Sequence, residues 1–309
     1  MTDSAAARSA YLASVSALLE RVFANGRYRG AYLDWLYERS PEGREIAADL
    51  FEGERCDAHY CVVPQTYCCA GLSLPMSLSL NTAVAPEARK KSVFTSLAES
   101  CFEKARNERG VTAVLGVANA NSTHGFVNRL GFRLVMPLPV IVGISIPSRG
   151  ECVTLDSTTA GASEIESFAA AGDFTPTDAW SQNWSPAKLA WRLKSPVGKF
   201  LLHDGPEFLA VSTLERMGGI SIAVVAKVFG KPGKTLRTGR LLSSICAAHS
   251  TPFYLHCGVN ARVRLPGLAP PRRFLPAPLN LIYRNLAAPA PTNEDFRLAT
   301  FEFLDFDAY

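Results

Sequence analysis

The sequence predicts a mixed α+β protein that consists of two related halves. The first observation lies in residues 79–132, which read in order as a strand, a basic turn, an amphipathic helix, a second strand and a second helix. The second observation is a weaker repeat of the same order between residues 220 and 257. The third is composition, because 309 residues that are 48% hydrophobic are enough to bury a sizeable core in one large domain or two.

The first predicted element is a helix at the N-terminus. Apolar residues recur at helical spacing from Tyr11 through Val15 and Leu18 to Phe23. The segment contains Asp3 and Glu20 and no long apolar run, so we interpret it as a surface helix and not as a targeting segment. No stretch approaches the length of a membrane span, and we therefore expect a cytoplasmic protein without a membrane partner.

The next elements are a strand, a basic turn and a helix. The strand over residues 78–84 is predicted to end at Pro86, because proline cannot extend a hydrogen-bonded ladder. After the cations Arg89, Lys90 and Lys91, Ser92 fits as the N-cap of a helix. The N–H groups of a helix start bind phosphate. The helix dipole contributes only about 0.3–1 kcal/mol per anionic group, so the three cations must add most of the attraction.

At these residues the chain resembles the GNAT superfamily of acyl-CoA N-acyltransferases. The superfamily's pyrophosphate loop, R/Q-x-x-G-x-G/A, corresponds here to RKKSVF, in which Arg89 matches while Ser92 and Phe94 replace the two small positions. The second half of the superfamily signature corresponds to Asn121, Phe126 and the pair Gly131 and Phe132. Val127 stands where many GNAT enzymes carry a tyrosine that acts as the acid catalyst.

The resemblance extends to a tandem GNAT subgroup that is associated with bacterial surface-polysaccharide genes. The matching stretches lie within residues 30–145, where Asn81 replaces the usual Asp and Ser92 the usual Gly. This resemblance implies a GNAT domain over residues 1–149 that binds the acyl carrier. It also implies a degenerate GNAT-like domain over residues 150–309 that lines the acceptor cleft.

The second half repeats the pattern with an altered loop. A strand is predicted over residues 220–228, a helix near residues 240–248 and a strand over residues 253–257. The sequence KPGKT at residues 231–235 falls where the phosphate loop would lie. It contains a proline, precedes no capped helix start and lacks the first glycine of a P-loop. We therefore expect this half to bind no acyl carrier.

Acyl transfer to an amine requires a base, a stabilised oxyanion and a proton for the leaving thiolate. His59 is the preferred base because histidine titrates in the required range. Asn81 and His124 are further catalytic candidates, and the resemblance to some tandem GNAT enzymes adds the terminal carboxylate of Tyr309. The candidates for carrier binding are Thr82, Val84, Arg89, Lys90, Lys91, Ser92, Val93, Phe94, Asn121 and Phe126.

The candidates for binding the acceptor are Tyr60, beside His59, and two C-terminal carboxylates. Residues 300–309 are predicted to form a last strand, on which Asp305 and Asp307 share one face because side chains alternate. Two carboxylates on one face suit a cationic amine.

Other classes of protein are disfavoured. A net charge of +4, with dispersed basic residues, is too small to indicate nucleic-acid binding. Cys56, His59 and Cys61 lack the second pair of ligands that a zinc site needs, so we expect no metal. The eight cysteines contain no CxxC pair and fit buried, reduced thiols in a cytoplasmic protein.

We therefore expect a GNAT-type N-acyltransferase that uses acyl-CoA, with acetyl-CoA as the preferred donor. Its expected acceptor is a small primary amine, and family analogy suggests an amino sugar. Three alternatives stay open at this point: a transferase fed by an acyl carrier protein, a Fem-type ligase that takes aminoacyl-tRNA, and a non-catalytic acyl-CoA-binding protein.

Overall fold

The structure is a computed structural model that describes residues 2–89, 92–148, 150–175, 178–271 and 278–306. Its contacts divide the chain into two compact units. The first unit contains Met1–Tyr67, Ser73–Met136 and Leu279–Phe296. The second contains Cys68–Leu72, Pro137–Pro278 and Arg297–Tyr309.

The first unit is a mixed sheet with helices. Its elements, in chain order, are α1 (Thr2–Phe23), β1 (Ile46–Glu52), β2 (Arg55–Cys69), β3 (Leu72–Val84), α2 (Val93–Arg109), β4 (Ala113–Ala118), α3 (Ala120–Leu130), β5 (Arg133–Pro137) and, from much later in the sequence, β13 (Asn280–Asn285). The strand order is β5-β13-β4-β3-β2-β1. β3 and β4 run parallel, whereas β13 pairs antiparallel with β4 and β1 antiparallel with β2.

The core of the first unit forms where α2 and α3 pack on the sheet. Fully buried residues of both helices contact buried residues of β1, β2, β4 and β13. α2 ends at Gly110, which has a φ of 62° and donates its N–H to Arg106 O at 3.1 Å, while Val111 N–H bonds Ala105 O. Glycine adopts this left-handed conformation without steric cost, so the helix end is encoded locally.

The second unit is also a mixed sheet. Its elements are β6 (Val140–Ile144), β7 (Val153–Asp156), α4 (Ala162–Ala170), β8 (Trp180–Gln182), α5 (Pro186–Leu193), β9 (Leu201–Asp204), β10 (Phe208–Met217), β11 (Ile220–Gly230), α6 (Thr238–Ala248), β12 (Phe253–Asn260) and β14 (Leu298–Glu302). The strand order is β8-β14-β12-β11-β10-β9-β7, with β6 also paired to β12. β11 and β12 are parallel, and α6 packs on both.

The two units exchange a strand. β6 follows the first-half elements in sequence but pairs with β12 of the second unit. β13 follows β12 but pairs with β4 of the first unit over all six of its residues. The boundary between the units therefore lies at Met136 and not near residue 149, and the first unit also includes residues 279–296 from the second half of the sequence. Strand pairing causes the difference, because a strand's sequence does not specify its partner.

Most predicted elements are confirmed: the N-terminal helix, the strand–helix–strand–helix of residues 79–132 and the weaker repeat around residues 220–257. The C-terminal strand was predicted too long. β14 ends at Glu302 and a helical turn, Phe303–Asp305, follows, because the Asp305 carboxylate accepts the Glu302 N–H at 2.7 Å. Asp307 and Tyr309 lie outside the described residues. Within the described ranges, no helix is both long and apolar enough to span a membrane.

Candidate functional site

The candidate site begins where β3 and β4 separate. Their parallel register runs from Met76 opposite Ala113 to Ser79 opposite Gly116. Beyond that pair β3 continues to Val84 and β4 to Ala118 without a further register pair between them in the described chain. Ligands of open α/β sheets bind in the crevice outside the carboxyl ends of the strands. We call residues 80–84 and 117–118, which border this separation, the strand opening.

Asn81 changes the course of β3 at the strand opening. It has a φ of 51°, which is uncommon for a non-glycine residue but most accessible to Asn and Asp. Two residues earlier, Ser79 donates to Tyr60 OH at 2.9 Å, on the face of β2 that packs against α2. Asn81 instead donates to Tyr37 OH at 3.1 Å, and Tyr37 contacts His59, which alternates with Tyr60 along β2. The positive φ therefore turns Asn81 to the opposite face of the sheet, as a β-bulge does.

The turn after β3 leads to the start of α2. Pro86–Ala88 form one helical turn, after which the exposed Arg89 folds back so that its Nε donates to Val84 O at 3.2 Å. Ser92 is the N-cap residue, as predicted, but its side chain makes no capping hydrogen bond, so the exposed hydroxyl is available. Lys90 and Lys91 lie outside the described residues.

The helix start presents backbone donors. Among the described residues, the first hydrogen bond of the helix joins Ser96 N to Ser92 O at 2.8 Å, and the N–H groups of Val93, Phe94 and Thr95 have no acceptor within the helix. The hydroxyl oxygen of Thr82, on β3, is buried and has no hydrogen-bond partner in the described part of the chain. A buried hydroxyl without a partner among the described residues fits a polar ligand.

An aromatic cluster lies under this helix start. Phe94 packs edge-to-face against Tyr60 and Phe126, with ring centroids 5.8 and 5.5 Å apart, and Phe126 does so against Phe132 at 5.2 Å. Tyr60 and Phe126 are 1% and 8% exposed. These two predicted ligand-binding residues therefore form core contacts that hold α2 and α3 in place. Phe94 is half-buried at the edge of this core.

The residues predicted at the start of α3 have local roles. The N-cap is Asn119, whose side chain accepts from Asn121 N at 3.0 Å and from Ser122 N at 2.9 Å. Asn121, in the first turn, is exposed. His124 is also exposed, and its Nδ1 lies 2.8 Å from the side-chain nitrogen of Asn128. The structure does not bring His124 together with His59 or Asn81 through any hydrogen bond of the described residues.

A buried chain of hydrogen bonds connects His59 to Asn81. His59 Nδ1 lies 2.5 Å from Asp49 Oδ1, and His59 Nε2 lies 3.1 Å from Tyr37 OH, which accepts from Asn81. His59 and Tyr37 are both 0% exposed. Burial raises the pKa of Tyr37 well above 10, so its hydroxyl keeps its proton at neutral pH. Tyr11 OH completes the chain by donating to the second Asp49 oxygen at 3.0 Å.

The sequence predicted roles for His59 and Asn81 but not for Tyr37 and Asp49, which are hydrogen-bonded to them. Tyr37 lies in a short π-helical turn, Asp34–Glu38, and Asp49 lies on β1 directly opposite His59. Tyr37 belongs to the W-x-Y stretch that the chain shares with the tandem GNAT subgroup, but the resemblance gave it no role, and Asp49 belongs to no such stretch. Their role becomes visible only when the register of β1 on β2 is known.

Asp305, predicted to bind the acceptor, is buried in the second unit and satisfied there. One carboxylate oxygen accepts from Trp184 Nε1 at 2.7 Å, and the other accepts from Lys227 Nζ at 2.5 Å as well as from the Glu302 N–H. At 1% exposure it has no free oxygen for a bound amine. Lys227 and Glu302 also form an ion pair at 3.2 Å, and Lys227 keeps a raised pKa despite its burial because both carboxylates stabilise its charge.

The start of α6, where a second carrier would bind, is already occupied by a carboxylate of the chain. Glu207 Oε2 accepts the N–H of Arg237, the N-cap residue of α6, at 3.0 Å. Its other oxygen pairs with the side chains of Arg237 and Arg240 at 3.2 and 3.5 Å. Glu207 thus lies where a phosphate group would lie at a helix start.

A family model, the acetyltransferase (GNAT) domain, matches residues 5–135. Among solved structures, a GCN5-related N-acetyltransferase from Anabaena variabilis has a TM-score of 0.58 at 12% identity, covering 88% of this chain and 69% of that chain. Eis1 from Mycobacterium abscessus has a TM-score of 0.50 at 12% identity, covering 78% and 62%. The N-myristoyltransferase of Saccharomyces cerevisiae with bound myristoyl-CoA has a TM-score of 0.52 at 10% identity, covering 88% and 79%. No curated protein matches the sequence.

The matched region, residues 5–135, contains the strand opening, the start of α2 and the His59 chain. The region thus matches the GNAT acetyltransferase domain over less than half of the chain, and the protein is an acyltransferase. The solved structures establish the fold alone at these identities.

Proposed function

We propose that this acyltransferase, which carries its GNAT domain at residues 5–135, moves an acyl group from acyl-CoA to a small primary amine. Acetyl-CoA is the proposed donor and an amino sugar the proposed acceptor. The solved yeast neighbour contains a bound acyl-CoA, which supports the donor class. The acceptor class rests on the resemblance to surface-polysaccharide proteins.

The observation that carries the proposal is the route from the strand opening to the start of α2. A thioester in the opening would extend toward the N-terminus of α2, the Ser92 hydroxyl and the cationic segment that begins at Arg89. Helix dipole and cations attract the same phosphate groups. The unpartnered Thr82 hydroxyl lies on β3, between Asn81 and the turn, and offers a further polar contact.

The chemistry requires an amine that has lost its proton. At pH 7 a lysine-like amine is about 99.9% protonated, so the site must remove a proton before the nitrogen attacks the thioester carbon. The C–N bond then forms and gives a tetrahedral oxyanion, whose collapse breaks the C–S bond so that the CoA thiolate leaves and takes up a proton. A backbone N–H at the strand opening would stabilise this oxyanion.

The first experiment measures donor binding by titration calorimetry with CoA and acetyl-CoA. We expect Arg89→Ala to weaken binding by about tenfold, which corresponds to about 1.4 kcal/mol. Arg106→Ala is the matched control, since Arg106 is exposed in the last turn of the same helix and its loss changes the net charge equally. Equal affinity in the wild type and Arg89→Ala, with unchanged melting, would show that the phosphate groups bind elsewhere.

A second experiment measures CoA release in the presence of a panel of amines that includes amino sugars. Turnover with at least one amine is expected. Acetyl-CoA binding without turnover on any amine, or transfer only from an acyl carrier protein, would contradict the proposed reaction while leaving the donor site intact.

A further inference from the structure

We propose that Asp49, His59 and Tyr37 form a positioning chain for Asn81, and that Asn81, not His59, meets the reactants. The inference rests on the proposed function, because it concerns how the same site holds the amine and the thioester. It assigns roles to Tyr37 and Asp49, for which the sequence alone predicted none.

The hydrogens of the chain can be placed by elimination. The amide nitrogen of Asn81 can only donate, so Tyr37 oxygen accepts from it. Cys61 Sγ, 3.1 Å from Tyr37 OH, can donate its own hydrogen to Leu80 O. An ionised Asp49 only accepts, so His59 carries its hydrogen on Nδ1 and donates to it, and Nε2 of the neutral ring then accepts from the Tyr37 hydroxyl. Every donor then has an acceptor, with a neutral imidazole and an ionised Asp49.

His59 is badly placed to act as a base on the substrate. It has no exposed surface, both ring nitrogens are engaged, and Tyr37 lies between it and the strand opening. An Asn amide does not pass protons on readily. This chain of hydrogen bonds therefore cannot carry protons beyond Tyr37. Its role is to hold the Asn81 side chain in one orientation.

Asn81 is the residue whose geometry needs fixing. A positive φ at a non-glycine residue costs of order 1–3 kcal/mol and persists only where the surroundings enforce it. The bond to Tyr37 engages the amide nitrogen, and no hydrogen bond of the described residues engages the amide oxygen. That oxygen can accept a hydrogen bond from the attacking amine and orient its lone pair. A neutral amide also does not raise the pKa of the amine, as a carboxylate at this position would.

The kinetic test compares Tyr37→Phe, His59→Gln and Asp49→Asn with the wild type. Tyr37→Phe should lower kcat by about 10–100-fold with unchanged acetyl-CoA affinity, because the Asn81 amide loses its anchor. His59→Gln should lose less, since its side-chain oxygen can still accept from Tyr37, and the pH profile of kcat/KM should keep the wild-type acid limb. Tyr67→Phe, a buried hydroxyl bonded to Gln65 on β2, is the matched control and should keep full activity.

Three outcomes would overturn the proposal. If His59→Gln loses at least about 100-fold and the acid limb, His59 is the general base. If Tyr37→Phe keeps wild-type kcat and KM, the chain only supports the fold. If nitrogen-15 NMR of the wild type shows hydrogen on His59 Nε2, the direction of the chain is wrong. The NMR result does not depend on turnover, so a failure of the chain can be distinguished from a failure of the proposed reaction.

Discussion

A buried histidine of the second unit, His203, and a partly buried one, His249, should make the protein lose stability in mild acid. His203 Nε2 lies 2.6 Å from Ser212 Oγ, which lies 2.7 Å from His249 Nε2. The serine has one hydrogen, so one neutral ring donates to it and the other accepts from it. Protonation of the accepting ring would place a second N–H on the serine oxygen. Burial lowers the pKa of His203 to about 3 and that of His249 to about 4, both from 6.5.

The sign and size of the effect follow from proton linkage. Below pH 6.5 the unfolded chain binds a proton at His203 that the folded protein does not, so the free energy of unfolding falls as the pH falls toward 3. At about pH 5 this costs about 2 kcal/mol relative to neutral pH. His249 adds a smaller loss, because it is partly exposed and solvent screens it.

Urea denaturation near pH 7 and near pH 5, followed by tryptophan fluorescence, measures this loss. Three of the four tryptophans, Trp180, Trp184 and Trp191, lie in the second unit. His203→Gln, whose amide can still donate to Ser212, should reduce the acid loss by about 2 kcal/mol. His124→Gln, an exposed control, should not. If His203→Gln retains the full pH dependence of the wild type, the buried serine is not held between neutral rings.

Three further predictions concern the ion cluster, the exchanged strand and the helix start. Lys227→Met should lower the free energy of unfolding by about 3–5 kcal/mol in urea denaturation, because it leaves buried carboxylates unpaired, and adding Asp305→Asn should restore part of it. The fragment 1–149 should aggregate in size-exclusion chromatography because it lacks β13, whereas residues 1–136 linked to 279–296 should elute as a monomer. Ser92→Gly should leave acetyl-CoA affinity unchanged or improved by calorimetry, since its hydroxyl caps nothing, and a loss above about tenfold would show that it binds phosphate.

The elements that the sequence predicts well are those with local signals. Helix α2 has a polar N-cap position, an apolar stripe and a C-terminal glycine, all within residues 92–110. The strand before it ends near Pro86, where the ladder must stop. These signals act between neighbours in the chain, so they can be read without knowledge of the fold.

The sheets that β6 and β13 join could not be predicted from such local signals. Each is a short apolar segment that follows a helix–strand pattern, and each fits the sheet of its own half equally well by sequence. Pairing is decided by side-chain contacts across strands, such as the burial of Leu281, Ile282 and Tyr283 at 0% exposure. These contacts lie far apart in sequence.

The partner of His59 in the candidate site also depends on strand pairing that the sequence does not specify. The β1–β2 hairpin pairs Glu52 with Arg55, and continuing that register would place Asp49 opposite Ala58. An irregularity between Leu50 and Phe51 shifts the pairing by one residue and brings Asp49 opposite His59. A one-residue shift moves a side chain to the other face, so the partner of His59 could not be identified from spacing.

The corresponding positions of the two units explain why we infer that only the first binds an acyl carrier. Two residues after the last parallel pair, the first unit has Asn81 at its strand opening, whereas the second has Lys227, two residues beyond Val225. Lys227 is tied to two buried carboxylates, and the Asn260 side chain bonds Val228 O at 3.2 Å, joining β12 to β11 where the strands would separate. Glu207 takes the anion position at α6. In the second unit, a thioester would have to break the ion cluster, and a phosphate group would have to displace Glu207. Each change leaves a buried charge unpaired at a cost of several kcal/mol. The attraction of the helix dipole is too weak to offset this cost.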